Sequence, residues 1–265
     1  MTTAPKSLIF FDIDGTLLTF DYEVPESAVR AIKRARENGH ICVINSGRPY
    51  THIDPKVRSI GFDGYICSCG MKVILDGRTL FHKKFDPEFS HECIAFNREQ
   101  HTEVIYESED GMSFDRTQSM NPYMRKSMEH FGSVGLNVDL DIDAPDFYFD
   151  KFSAWLTDKT DEKAYKEFVY EHFDPIIRGE GLYEIVAKGC SKKSGMDLIM
   201  EETGIPWENT YAIGDSTNDL PMLENCAHSI AMGNSQLEVL EIADHITADI
   251  LDDGVEKAMH HYGLI

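Results

Sequence analysis

Four short segments of this chain hold the side chains best suited to chemistry. Asp12-Ile13-Asp14-Gly15-Thr16 sets two carboxylates two residues apart, directly after an apolar run over residues 8–11. If extended geometry persists for one step, Asp12 and Asp14 project to the same side of the chain. Gly15 lets the backbone turn away without a side-chain clash. Gly214-Asp215-Ser216-Thr217-Asn218-Asp219 supplies two more carboxylates after another apolar run. Magnesium is a hard cation that prefers oxygen ligands and keeps several waters, so one or two carboxylates and a substrate phosphate suffice to hold it. Asn45-Ser46-Gly47-Arg48 offers a hydroxyl, flexible backbone donors and a guanidinium, and Lys192 offers a point charge to a phosphate just before a helical pattern. Taken alone, Asp12 and Asp14 also read as an acidic turn after a strand. Four segments of compatible chemistry argue for a site.

These segments need elements to position them. Residues 8–11 read Leu-Ile-Phe-Phe, as expected of a parallel strand covered on both faces. Pro25 opens a helical pattern in which Ala28, Val29, Ile32 and Ala35 share a face, and Gly39 follows its end. Residues 41–44 read as a second buried strand and 65–67 as a third. This β–α–β alternation predicts an α/β fold with a doubly wound parallel sheet, in which ligands bind at the carboxyl ends of the strands. The C-terminal part has the same alternation, with a helix over 194–203 ended by Gly204 and Pro206, a strand over 210–213, and short strands at 229–232 and 245–246.

The middle differs. Helices over 87–100 and 161–173 alternate with strands at 102–106 and 151–156, punctuated by Glu109-Asp110-Gly111 and Asp143-Ala144-Pro145. The expected organisation is a core domain over 1–83 and 188–265, with an inserted α+β cap domain over 84–187. Phe147, Tyr148, Phe149 and Trp155 are expected in the core of that insertion.

The chain has 265 residues and a net charge of −21, from 46 acidic and 25 basic side chains. Such a surface repels nucleic-acid phosphates and anionic lipid. A small phosphorylated substrate is repelled too, so its site must concentrate positive charge from a metal or a few Lys and Arg. No stretch approaches the roughly 20 apolar residues of a membrane span, and the apolar run at 8–11 is broken at once by Asp12, unlike a secretory leader. The six cysteines are scattered, and Cys67-Ser68-Cys69 lacks the second pair of a zinc site. Reduced, mostly buried cysteines in a cytoplasmic protein are expected.

The four segments resemble the motifs of the haloacid dehalogenase superfamily of phosphohydrolases. Asp12-Ile-Asp-Gly-Thr16 is similar to the first motif, Ser46 to the second, Lys192 to the third, and the run from Gly214 to Asp219 to the fourth. Ile44-Asn-Ser-Gly-Arg-Pro49, Lys188-Gly-Cys-Ser-Lys192, Ala231-Met-Gly-Asn234 and Asp253-Gly-Val-Glu-Lys257 resemble the Cof-type sugar-phosphate phosphatases. The insertion falls between the second and third motifs, which in this superfamily marks a class II cap, and its α+β content suits subtype B. One departure is Cys69-Gly70-Met71, where relatives often carry Asn-Gly-Ala; it bears on substrate contacts, not on the chemistry.

The resemblance implies a Rossmannoid core and a magnesium-dependent phosphatase of small phosphorylated metabolites. Asp12 is then the nucleophile that forms an aspartyl-phosphate. Asp14 protonates the departing alkoxide and later deprotonates water, so Asp12 must be ionised while Asp14 carries a proton. Magnesium is implied at the Asp12 carboxylate, the Asp14 backbone carbonyl and Asp215. Ser46, Gly47, Lys192 and Asn218 are implied around the phosphoryl group, with Asp219 behind them orienting Lys192. Arg48 stands open between a substrate contact, a helix cap and an ion pair. Lys193 is expected at the surface, and no metal role is expected for His260 or His261.

Two rivals share this pattern. A phosphosugar mutase would isomerise a hexose phosphate without releasing phosphate, and a non-catalytic regulatory protein would bind phosphate without turnover. The intact set Asp12, Asp14, Ser46, Lys192 and Asp215 weighs against the latter. Transport ATPases that phosphorylate an aspartate carry Lys-Thr after it, whereas here Asp14 takes the second position after Asp12, and no membrane helices are expected. Substrate identity and oligomeric state are not encoded in any motif here.

Overall fold

A computed structural model of the chain describes residues 6–179 and 181–265. Its strands are β1 (Leu8–Phe11), β2 (Ile41–Asn45), β3 (Gly64–Cys67), β4 (Lys72–Leu75), β5 (Arg78–His82), β6 (Glu103–Glu107) and β7 (Met112–Phe114). They continue as β8 (Lys151–Trp155), β9 (Phe173–Ile177), β10 (Leu182–Ala187), β11 (Thr210–Gly214), β12 (His228–Ala231) and β13 (His245–Ile246). The helices are α1 (Glu26–Glu37), α2 (Pro55–Arg58), α3 (Pro87–Glu99), α4 (Pro122–Ser133) and α5 (Glu162–His172). The last four are α6 (Lys192–Thr203), α7 (Leu220–Leu223), α8 (Leu237–Ile242) and α9 (Gly254–His261). The chain forms two compact units: Met1–Gly47 with Asp54–Phe81 and Ser191–Ile265, and Arg48–Ile53 with His82–Cys190. No helix among the described residues is long and apolar enough to cross a membrane.

The first unit is built on an eight-stranded sheet of order β13-β12-β11-β1-β2-β3-β4-β5. β1 lies between β2 and β11, parallel to both, with Phe11 opposite Ile44 and Ile213. Its four side chains are fully buried, and burying each stabilises the fold by about 1.5–3 kcal/mol. The register has a chemical consequence. β1, β2 and β11 end at one edge, so Asp12, Ser46 and Asp215 leave neighbouring strands together.

Two features of this unit differ from the sequence expectation. The expected third strand continues into a β4–β5 hairpin, joined by Asp76 (φ +49°) and Gly77 (φ +73°), the pair of left-handed residues a two-residue turn requires. Lys192 does not precede its helix but is the first residue of α6. The helix starts early because Ser191 Oγ accepts from Ser194 N while Ser194 Oγ accepts from Ser191 N, a reciprocal capping box.

The second unit is a five-stranded sheet of order β7-β6-β8-β10-β9, antiparallel at each pairing. α3, α4 and α5 are each started by a side-chain cap, from Asp86, Asn121 and Asp161. Cys93, Ile94, Tyr106, Phe149, Phe152 and Phe173 form the centre of its main core. α5 ends at His172, one residue sooner than its periodicity suggests, because Phe173 turns extended and buries its ring in that core. Phe147 and Phe149 are buried there too, and Trp155 packs half-buried on a smaller cluster around Ile105 and Phe131. Tyr148 is not core: its hydroxyl donates to Asp110 at 2.7 Å and the Lys84 ammonium lies over its ring.

Strand alternation puts Lys151 and Ser153 on the sheet face opposite Phe152. Lys151 Nζ sits 2.7 Å from Glu184 and 3.0 Å from Glu107, all three buried, with Arg178 3.6 Å from Glu184. Two cations meet two anions, so the network is balanced. Removing one partner of such a network costs about 3–5 kcal/mol. Lys151→Ala is expected to lower stability in urea unfolding by that amount, while Lys163→Ala, at an exposed pair with Glu167, changes it little. Equal small effects would contradict a stabilising role for the buried network.

Candidate active site

The site grows from the ends of β1 and β11. Asp12 N donates to the Ile213 carbonyl at 3.0 Å, fixing the backbone as it leaves the strand. Gly15 then turns the chain at φ +84°, and a Cβ there would overlap Asp215 Oδ2. Thr16 Oγ1 donates to Asp215 Oδ1 at 3.3 Å. Asn234 pins the same turn, donating from Nδ2 to the Gly15 carbonyl at 2.8 Å while its Oδ1 accepts from Ile250 N. On the far side, Asp219 Oδ2 accepts from the amides of Asp215 and Ser216 at 2.9 and 3.1 Å.

Lys192 closes the centre. From the first turn of α6 its Nζ lies 2.5 Å from both Asp12 Oδ1 and Asp219 Oδ1, and its backbone carbonyl accepts from Asn45 Nδ2 at 3.1 Å. Asp12, Asp215 and Asp219 are buried and offer carboxylate oxygens within 4.8 Å of one another. Three carboxylates face one ammonium. Burial pushes Asp12 up to about 7, helped by Asp219 and Asp14 and opposed by Lys192. Burial pushes Asp215 up to about 8, helped by Asp12 and Asp219. Burial lowers the Lys192 ammonium, but Asp12 and Asp219 outweigh it and hold it firmly protonated. With all three carboxylates ionised the centre is two positive charges short of balance, an excess that the raised Asp12 and Asp215 relieve by holding protons near neutral pH and that a single divalent cation would offset. The donor set, all hard oxygen, fits magnesium.

Asp12, Lys192, Asp215 and Asp219 thus come together directly. Asp14 is exposed at the turn beyond them. Ser46 is buried; its amide donates to the Ile66 carbonyl at 2.9 Å and its carbonyl accepts from Cys69 N at 3.1 Å. Gly47 follows it, half-buried. Asn218 is buried, with its Oδ1 accepting from Ser216 Oγ, whereas the direct partner of Lys192 is Asp219. Arg48 Nη1 donates to the His52 carbonyl at 3.3 Å. Lys193 pairs at the surface with Asp197, and His261 stacks on His245 at 3.9 Å.

Sequence reasoning gave no role to Thr16, Asn234 or Ser68, and read Cys69 only as a departure bearing on substrate contacts. Thr16 and Asn234 lie inside motifs already quoted, and their contacts need the fold to be seen. Ser68 and Cys69 are both left-handed, at φ +49° and +53°, an uncommon conformation for two successive non-glycine residues. The following Gly70 signals the tight turn; a Cβ on it would overlap the Ser191 carbonyl.

Residues 9–259 match the family of haloacid dehalogenase-like hydrolases. YkrA of Bacillus subtilis (strain 168) is 30% identical over 263 residues, covering 98% of this chain and 99% of its own. Phosphatase YwpJ of the same organism is 27% identical over 284 residues, covering 96% of this chain and 99% of its own. The solved structure of the HAD subclass IIB sugar phosphatase BT4131 superposes with a TM-score of 0.81 at 28% identity, covering 98% of this chain and 100% of its own. The fold, the carboxylate centre and these likenesses define a phosphatase. The chain belongs to the haloacid dehalogenase-like hydrolase family, with the α/β Rossmannoid fold of its Cof-type members.

Gly15 offers a sharp test of the packing around Asp215. Gly15→Ala is expected to lower phosphatase activity at least about tenfold while circular dichroism stays native, because Cβ displaces the Asp215 carboxylate. Gly39→Ala imposes comparable backbone strain, at φ +93°, with nothing within 4 Å of the added atom, and is expected to leave activity near wild type. Equal losses in both would trace the effect to strain alone.

Proposed function

We propose that this enzyme hydrolyses small phosphorylated metabolites, sugar phosphates foremost, through a phosphoryl group carried on Asp12, with magnesium as its cation. The observation that carries the reading is the buried Asp12–Lys192–Asp219 bridge beside Asp215. It fixes one carboxylate at a strand end with a permanent positive charge against it.

A carboxylate oxygen of Asp12 attacks phosphorus, the bond from phosphorus to the ester oxygen breaks, and Asp14 gives its proton to the departing alkoxide. Water then attacks the phosphorus of the acyl phosphate, Asp14 takes a proton from it, and inorganic phosphate leaves with the Asp12 carboxylate restored. The exposure of Asp14 suits a group that exchanges protons with substrate and water. Ser46, the Gly47 backbone and Asn218 hold the phosphoryl oxygens, and Lys192 supplies charge where negative charge redistributes.

Asp12 and Asp215 are the carboxylates for the metal, with the Asp14 backbone carbonyl. Asp219 is committed elsewhere, one oxygen to Lys192 and the other to two amides. When bound, magnesium neutralises charge on the phosphoryl group and orients it. Selectivity is assigned to the second unit, because every residue given a chemical step lies in the first. Support for sugar phosphates comes from the likeness to the sugar phosphatase. Six buried cysteines fit a reducing compartment such as the cytoplasm.

Asp12→Asn keeps the shape of the side chain and removes the nucleophile. It is expected to lower kcat by about a thousandfold or more with an unchanged fold, and retention of even a few per cent of the rate removes Asp12 from this role. Thorough chelation is expected to abolish turnover, with recovery on adding magnesium, and Asp215→Ala is expected to raise the magnesium needed for half-maximal rate at least about tenfold. Full activity after chelation contradicts the metal assignment. Phosphate release from a panel of sugar phosphates, nucleotides and phosphorylated cofactor precursors tests the substrate class; nucleotides as the best substrates contradict it.

A further inference from the structure

The segment that follows β12 touches both of the turns that carry the proposed metal ligands. β12 runs parallel to β11, with Ala231 opposite Gly214, so residues 232–236 leave the sheet beside Asp215. Four bonds tie them to that turn. Met232 N donates to the Gly214 carbonyl at 3.0 Å, Ser235 Oγ to the same carbonyl at 3.4 Å, and Gln236 N to the Asp215 carbonyl at 2.9 Å. The Gln236 Oε1 accepts from Thr217 N at 3.0 Å.

Asn234 holds the other turn. Its Nδ2 donates to the Gly15 carbonyl at 2.8 Å, and its Oδ1 accepts from Ile250 N at 2.9 Å. Both partners are backbone groups of fixed polarity, which decides the orientation of the amide. Gly233 N donates to the Ala248 carbonyl at 2.9 Å and anchors the segment to the same stretch as Ile250.

The turn at Gly15 needs such a hold. Glycine is the loosest pivot in a chain, and two planar peptides flank it here. Gly15 N donates to the Leu18 carbonyl at 2.9 Å, which fixes the first plane and with it the direction of the Asp14 carbonyl. Asn234 fixes the second plane at the Gly15 carbonyl. An asparagine suits the task because one end donates, the other accepts, and no charge is added beside the carboxylates.

We propose that Asn234 and Gln236 are positioning residues for the cation: they hold the Gly15 and Asp215 turns in register, so that the Asp12 carboxylate, the Asp14 carbonyl and the Asp215 carboxylate serve one magnesium ion. Magnesium demands near-ideal octahedral geometry, and groups that orient metal ligands typically set affinity by about 10–100-fold. The inference rests on magnesium lying at these three ligands, as proposed above, and its test separates the two claims.

Manganese(II), a cation with the same preference for oxygen ligands, serves as the probe. Its unbound fraction is read by electron paramagnetic resonance in the full-length protein without substrate. Asn234→Ala is expected to raise the manganese Kd about tenfold. Its kcat on p-nitrophenyl phosphate is expected to fall at limiting magnesium and to return to within about threefold of wild type at saturation. Thr247→Val controls for stability. It removes a buried 2.7 Å bond from Thr247 Oγ1 to the Gly254 carbonyl, in the stretch that anchors the segment. It is expected to lower the melting temperature while leaving the Kd within about twofold of wild type.

An Asn234→Ala Kd within about twofold of wild type overturns the proposal. So does a loss of kcat that saturating magnesium does not restore, or an equal rise of Kd in Thr247→Val. If Asn234→Ala unfolds, Gln236→Ala carries the test, because Gln236 is exposed. Its Kd is expected to rise about threefold, and an unchanged value overturns the proposal. Asp215→Ala distinguishes the two failures. A Kd raised there at least about tenfold leaves the magnesium assignment standing whatever Asn234 does; a Kd unchanged there overturns the assignment and the proposal with it.

Discussion

Lys192 reaches from the first turn of α6 to place its ammonium between Asp12 and Asp219, with all three side chains shut off from solvent. Buried charges are tolerated only when paired and hydrogen-bonded, and this one constraint orders its surroundings. The capping box at Ser191 fixes where α6 begins and so where Lys192 stands. The amides of Asp215 and Ser216 satisfy the other oxygen of Asp219. The left-handed turn at Gly15 lets Asp215 approach without a side chain in the way. Parallel pairing of β1 with β2 and β11 brings the three strand ends to one edge. Each device belongs to a different stretch of sequence, and each is needed to keep the same charges in register.

The second unit repeats the arrangement with a different outcome. Lys151 also lies buried between two carboxylates, Glu107 and Glu184. There Arg178 adds a second cation, the charges balance, and the network serves to hold strands together. Around Lys192 a third carboxylate, Asp215, tips the balance, and both Asp12 and Asp215 are pushed far above the ordinary carboxylate range. The contrast shows why composition alone does not mark a site. An ammonium between two acids is a common scaffold, and it is the third carboxylate that sets the first centre apart.

The placement of the centre's carboxylates was largely legible because they sit in contiguous motifs at strand ends. Asp12, Ser46 and Asp215 each follow an apolar run, and runs of that kind in a parallel sheet imply a common edge. What stayed hidden depends on contacts between distant segments. Nothing near Thr16 or Asn234 says that they brace Gly15 and Asp215. The β4–β5 hairpin was marked by Asp76-Gly77 and passed unread because its second strand is mostly polar. α4 likewise carried its signal, Asn121-Pro122, but its burial of Phe131 against a loop some eighty residues upstream is a tertiary fact. Tyr148 falls outside the core because it alternates with the buried Phe147 and Phe149, leaving the ring to a lysine and an aspartate.

The proposed mechanism turns on which atom accepts the phosphoryl group. Borohydride reduces an acyl phosphate to an alcohol, so an aspartyl-phosphate quenched during turnover becomes homoserine, which peptide mass spectrometry can assign to a position. With substrate and magnesium present, conversion is predicted at Asp12 and nowhere else in the chain. Reduction at another carboxylate, or no reduction at any residue while phosphate is being released at full rate, would contradict the mechanism.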